Sequence, residues 1–322
     1  MMGINQVADT NQQWDMVIKP KTGWFEINLK ELWHYRDLIG MFVKRDFVTY
    51  YKQTILGPLW FIIQPLFATI VFTIIFGRVA KISTDGLPPF LFYMAGNVLW
   101  GYFSASLNTT AGTFNTNASI FGKVYFPRLT VPIATVIVNF LQFFIQFTLF
   151  VGFYVYFIWK GSSVTPNYWI FGLPIMLLQM ALLSFGLGIL LSSLTTKYKD
   201  LKFALGFLIQ LWMYGTPIVY PLSQIPDWLM PYYVLNPMVA IVESFRYAFF
   251  GASALRLSHV GISWGVTLVL LFIGVVLFSR IEKTLMDTVL VVRATVLPLL
   301  LEVVYLPAFF RSHFEYQWTS LK

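Results

Sequence analysis

Cysteine is absent from this 322-residue chain, so neither a disulfide nor a thiolate metal site is available to it. Histidine is nearly absent too: His34, His259 and His313 lie far apart and show no ligand spacing. Charged residues make up 11% of the chain, where a soluble domain carries about 25%. The scarcity is concentrated. No Asp, Glu, Lys or Arg occurs between Asp85 and Lys123, Arg128 and Lys160, Lys160 and Lys197, Lys202 and Asp227, or Arg256 and Arg280. There is no G-x-x-x-x-G-K-[ST] loop, and with it no backbone cradle for ATP phosphates. The apolar runs also lack the row of embedded acids that proton-driven carriers use. The polar stretch Met1 to Lys21 has no apolar core, so a cleaved signal peptide is not expected.

What remains is apolar, at 57% hydrophobic and 19% aromatic. Crossing a hydrocarbon core about 30 Å thick takes roughly 20 apolar residues in a helix. Lipid offers no hydrogen bonds, so a crossing backbone must satisfy itself, and a helix does this within one segment. The fold class expected is therefore an all-α polytopic membrane protein with about six transmembrane helices. The spans are placed near residues 59–77, 87–107, 130–159, 169–194, 203–219 and 261–279. Pro65 removes one hydrogen bond in the first and is expected to kink it. Lys and Arg fall 17 on one side of these spans and 5 on the other, which puts both termini in the cytoplasm. The net charge of +8 is thus explained by span flanks, and nucleic-acid binding is not expected.

Two segments outside the spans are informative. Residues 29–51 read as an amphipathic interface helix, with Asn28 and Glu31 in capping-box positions. Leu32, Ile39, Phe42, Val43, Phe47 and Tyr50 fall near one face, and a basic helix of this kind lies in the headgroup plane. It is either a plain anchor or a contact for a headgroup or cytoplasmic partner; Lys44, Arg45 and Lys52 suit a phosphate. After the fifth span, Pro217, Pro221, Pro226, Pro231 and Pro237 exclude one continuous helix in an apolar, aromatic stretch. Re-entrant half-helices between the fifth and sixth spans are expected, covered by protein. Asn236-Pro237 starts the second, on which Glu243 and Arg246 are spaced to pair.

The run YKQTILGPLW from Tyr51 to Trp60, followed by Gln64-Pro65 and Phe76-Gly77, resembles the start of a type-2 ABC transporter permease. Tyr214 to Pro221 (YGTPIVYP) and Asn236-Pro237-Met238 resemble the segment between that family's fifth and sixth spans. Phe121 to Arg128 (FGKVYFPR) is similar to its first cytoplasmic loop. The resemblance covers roughly residues 29–287 as one transmembrane domain, after a cytoplasmic N-terminal segment at 1–28. It is strongest to membrane subunits that export lipid-linked polysaccharide such as O-antigen. It leaves residues 288–322 as an extension of unknown role, interrupted by Pro298, Glu302 and Pro307.

The resemblance implies a pore of two copies of this chain, driven by a separate cytoplasmic ABC ATPase dimer that binds ATP and Mg. No cofactor is expected in this chain. Implied partners are the second copy, the ATPase, the lipid-linked polysaccharide and membrane lipids of a bacterial inner membrane. The first and fifth spans then line the sugar path, with Trp60, Phe67, Tyr102, Phe103, Trp212 and Tyr214 as candidate stacking surfaces. Aromatics also face lipid or pack between helices, and Gln64, Asn97, Gln142, Gln146, Gln179 and Gln210 either line the path or bond between helices. Arg45 and Lys52 are candidate contacts for the carrier's pyrophosphate or ordinary span flanks. Lys123, Tyr125 and Arg128 are placed against the ATPase, on a loop that Pro127 and Pro132 stiffen. Pro217, Tyr220, Pro226, Asn236, Pro237, Glu243 and Arg246 belong to an outer gate, residues 220–250 with the break just before them. Alternatives are a type-2 permease for capsule, teichoic acid, a drug or a small lipid, or a membrane enzyme acting on lipid-linked sugars. The enzyme needs convergent carboxylates, whereas Asp37, Asp46, Glu243 and Asp287 are scattered.

Overall fold

The computed structural model describes residues 29–52, 55–121, 123–162, 164–198, 200–251 and 256–304, and among these every regular element is helical. Asn28, the expected cap, the segment 1–28 and residues 305–322 lie outside the described residues. Helix α1 (Leu29–His34) turns at Tyr35 into α2 (Arg36–Lys52). Gly57, at a left-handed φ of 49°, and Pro58 then set a short 3-10 turn leading into α3 (Trp60–Phe72). Helix α3 runs through Pro65 and widens into a π-helical turn over Thr73–Val79. The chain returns as α4 (Pro89–Ala111), followed by two single turns, α5 (Thr113–Thr116) and α6 (Ala118–Phe121). Long helices α7 (Thr130–Trp159) and α8 (Leu173–Lys197) come next. Then follow α9 (Asp200–Tyr214), the single turn α10 (Met230–Tyr233), α11 (Pro237–Phe250) and α12 (Leu257–Val304).

Among the described residues, four helical stretches are long and apolar enough to cross a bilayer: Gly57–Val79, Thr130–Trp159, Tyr168–Lys197 and Leu257–Ile281. They match the expected first, third, fourth and sixth spans. The second expected span, α4, has the length but carries Asn97, Ser104, Ser106, Asn108, Thr109 and Thr110. It is the central helix, with fifteen of its 23 residues buried against its neighbours, Ser106 and Thr110 among them; Asn108 and Thr109 lie exposed near its end. Of its neighbours, α3, α7 and α8 leave more side chains uncovered and are more apolar, whereas α11 is almost wholly buried. The fifth differs from expectation. Helix α9 stops at Tyr214, and its 15 residues reach only about 22 Å, short of a hydrocarbon core. Gly215 and Pro217 end it, so residues 215–219 belong to a break and not to the helix. The boundary expected at 287 falls inside α12, which continues through Pro298.

Glycines set how closely the bundle packs. A Cβ on Gly186 of α8 would lie 2.6 Å from the Leu271 Cα of α12, and one on Gly188 would lie 2.5 Å from Thr110 Cβ of α4. Gly186 lets the backbone of α12 approach α8, and Gly188 makes room for the Thr110 side chain of α4, the usual use of small residues in helix association in lipid. Polar side chains add bonds: Gln179 donates to Ser263 Oγ at 2.6 Å, and Ser263 donates to the Pro237 carbonyl at 2.9 Å. Of the polar residues offered for the path, Gln179 therefore ties α8 to α12. Asn97 likewise reaches Thr69 Oγ1 of α3 at 3.4 Å.

Candidate functional site

The break after α9 leaves carbonyls that no helix turn can pair, and those of Pro217 and Ile218 belong to buried residues. Side chains from α11 supply the donors. Asn236 begins that helix: its Oδ1 accepts from Met238 N at 3.1 Å, the N-cap bond, and Pro237 occupies the first turn. Its Nδ2 donates at 3.0 Å both to the Gly215 carbonyl and to Thr216 Oγ1. Two turns on, Arg246 is 2% exposed and Glu243 is 3% exposed. The Arg246 Nη1 donates to Glu243 Oε1 at 3.1 Å and to the Pro217 carbonyl. Its Nη2 donates to the Ile218 carbonyl at 3.1 Å and makes a long contact of 3.5 Å with the Phe92 carbonyl of α4. The guanidinium lies 3.6 Å over the Phe92 ring. Buried ions persist when paired and hydrogen-bonded, and this pair meets both conditions.

The rest of the segment is tied in the same way. Tyr220 donates to the Tyr214 carbonyl at 2.6 Å and shares a 2.8 Å bond with Tyr233. Ser223 donates to the Asp85 carboxylate at 2.8 Å, which anchors the segment to the loop before α4. Tyr154 of α7 donates to the Phe249 carbonyl at 2.5 Å and helps finish the far end of α11. Of the expected gate residues, Pro217, Asn236, Pro237, Glu243 and Arg246 are thus brought together. Tyr220 sits beside them, while Pro226 is exposed and apart from the clasp. Phe92, Gly96, Thr216, Tyr233 and the Asp85–Ser223 pair were not singled out by sequence reasoning. Gly96 alone carried a signal, as a glycine in an apolar helix.

The six aromatic candidates divide. Trp60 and Phe67 of α3 and Tyr214 of α9 are exposed. Tyr102 and Phe103 are corrected: at 2% and 0% exposure they are core residues, Tyr102 packed against Phe140 and Phe143 of α7. They lie on the buried helix α4, so neither offers a face to a path. Trp212 is half-buried, edge-on to Phe103 and Trp100, and seats α9 on α4.

At the other end of the bundle, the interface helix differs from expectation. Phe42 is buried against Phe126, Val131 and Ala134, with Tyr35, Leu38, Ile39 and Val43 packed around it. Its apolar face therefore docks on the start of α7. Arg45 pairs with Asp46 at 2.7 Å and covers the Phe42 ring at 4.8 Å, so its charge is already partly answered; Lys52 is exposed. Lys123 and Tyr125 are exposed as expected. Arg128 is corrected. It is 4% exposed with its guanidinium 5.6 Å over Phe121, which places it in the packing of the loop and not on a docking surface.

Apolar helices of bilayer length, packed around a covered helix break, define a polytopic membrane protein. The chain belongs to the ABC-2 type transporter family, which matches residues 37–250, from α2 to the end of α11. It is accordingly a transport component. Among curated relatives, the O-antigen export system permease protein RfbA of Klebsiella pneumoniae is 28% identical over 251 residues, covering 76% of this chain and 92% of the relative. RfbA of Myxococcus xanthus is 27% identical over 226 residues, with 69% and 84% covered. The polysialic acid transport protein KpsM of Escherichia coli is 24% identical over 250 residues, with 76% and 93% covered.

Proposed function

We propose that this chain is the membrane subunit of an ATP-driven exporter that moves a lipid-linked polysaccharide of the O-antigen kind out of the cytoplasm. It sits in a bacterial inner membrane with both termini cytoplasmic. Two copies enclose the path, and a separate ABC ATPase dimer binds ATP and Mg. The observation that carries the reading is a pair of uncovered faces that bear aromatics. Trp60 and Phe67 stand on α3 and Tyr214 on α9, whereas the aromatic candidates Tyr102 and Phe103 are buried and Trp212 is half-buried. Flat rings hold the C–H faces of sugars weakly enough for a polymer to slide, and indole and phenol groups add polar handles. The relatives named for O-antigen export cover nearly the whole of their own length, which favours that substrate class. The relative named for polysialic acid transport is less similar and supports a polymer of that kind as the second reading.

In this proposal α9 enters the membrane from the cytoplasmic side as the fifth crossing, the clasped break ends it, and α11 forms the return, with residues 220–250 as the outer gate. Lys123 and Tyr125 meet the ATPase, and Lys52 meets the anionic headgroup. The test is loss and rescue in the source cell. Without the chain, lipid-linked glycan should collect inside while the surface loses its polymer. The Trp60→Ala/Phe67→Ala chain should accumulate normally yet export more slowly. Normal surface polymer in the deletion strain refutes the substrate class, and full-rate rescue by the double variant refutes the path.

A further inference from the structure

We infer that Arg246 is a positioning residue that makes the broken end of α9, residues 215–218, one mechanical body with α4 and α11. This deepens the outer-gate reading and rests on it for its functional meaning. Three elements meet at one planar fork. The guanidinium takes the Ile218 and Pro217 carbonyls from the break, leans on the Phe92 ring and carbonyl of α4, and is charge-compensated by Glu243 of its own helix. Gly96 of α4 makes the approach possible. A Cβ there would stand 2.9 Å from Ile218 Cγ2 and 3.4 Å from Arg246 Nη2. Asn236 ties the same break to the start of α11.

The consequence is mechanical. Separating the break from α11 strips the buried Pro217 and Ile218 carbonyls of their donors and leaves the Arg246 guanidinium with Glu243 as its remaining partner on α11, and separating α11 from α4 removes the Phe92 ring and carbonyl. A displacement of the outer segment therefore carries α4 with it, and the gate does not open by unravelling at the break. Lysine cannot stand in for Arg246, because an ammonium has no fork with which to reach several carbonyls in one plane.

The chain has no cysteine, so a single introduced thiol reports local opening without background. Val219 is 3% exposed and adjoins the clasp; Ala134, 0% exposed, lies in a separate cluster on α7 and serves as the control. Val219→Cys and Ala134→Cys chains, purified intact in detergent with their partner subunit, are timed for reaction with a maleimide. Both should react slowly in the parent. Adding Arg246→Lys or Gly96→Ala should speed Val219→Cys by roughly tenfold or more, the equivalent of one lost bond to a charged group, and leave Ala134→Cys slow. Acceleration at both sites signals general loosening and overturns the inference, as does slow reaction at Val219→Cys in both backgrounds. An Arg246→Met/Glu243→Met chain that reacts as slowly as the parent also overturns it, because the pair then serves only to neutralise itself. Gly96→Ala keeps every charge in place and decides the matter if Arg246 variants fail to accumulate. Export is not part of the readout, so an error in the substrate class would leave the result standing.

Discussion

Replacing Asn236 separates two roles that the structure gives to one side chain. Its Oδ1 caps α11 through Met238 N, while its Nδ2 bonds the Gly215 carbonyl and Thr216 Oγ1 on the broken segment. Asn236→Ala removes all three bonds. Loss of an N-cap costs about 1 kcal/mol. The two donor bonds add about 1 kcal/mol more, a modest figure because Gly215 is partly open to solvent and Thr216 keeps its own bond to the Trp212 carbonyl at 2.9 Å. Asn236→Ser restores the cap, for which serine and asparagine are equivalent, but its shorter side chain lacks the amide that reaches the break. Unfolding free energy, measured by titrating denaturing detergent into mixed micelles, should therefore fall in the order parent, serine, alanine. Each step should be about 1 kcal/mol. A serine chain as stable as the parent would show that the ties to Gly215 and Thr216 contribute nothing. An alanine chain as stable as the parent would remove the cap as well.

Further outcomes follow from packing and from the loop after α6. Gly186→Ala places a methyl 2.6 Å from the backbone of Leu271 and should destabilise the bundle by about 1–3 kcal/mol in the same titration. Gly206→Ala, where nothing lies within 4 Å, should be neutral or slightly stabilising. Lys123→Glu should leave the amount of protein unchanged while ATP turnover by the reconstituted complex no longer tracks export. Arg128→Ala should lower stability by about 1–2 kcal/mol through its lost contact with Phe121. Equal effects of the two on coupling would show that Arg128 also reaches the partner.

The membrane class, most of the spans and the pairing of Glu243 with Arg246 were legible from the sequence. Each depends on short-range composition or spacing, and hydrocarbon imposes its demand on one helix at a time. The break was legible as a break, since Pro217 and Pro221 close after Gly215 each remove a helix hydrogen bond in the same short stretch. What receives the Arg246 donors was not legible, because the acceptors are backbone carbonyls 29 and 154 residues away, and every residue has such a carbonyl. Nor does an aromatic show in sequence whether its ring is covered. Trp60 and Phe103 read alike, yet one is exposed and the other packs in the centre because α4 is the helix that its neighbours surround. Arg128 looks like a surface cation until Phe121 is found beneath it. Local chemistry set which segments enter the membrane. Which of their faces meet each other, and so which charges and rings remain available for work, was decided only when the helices packed.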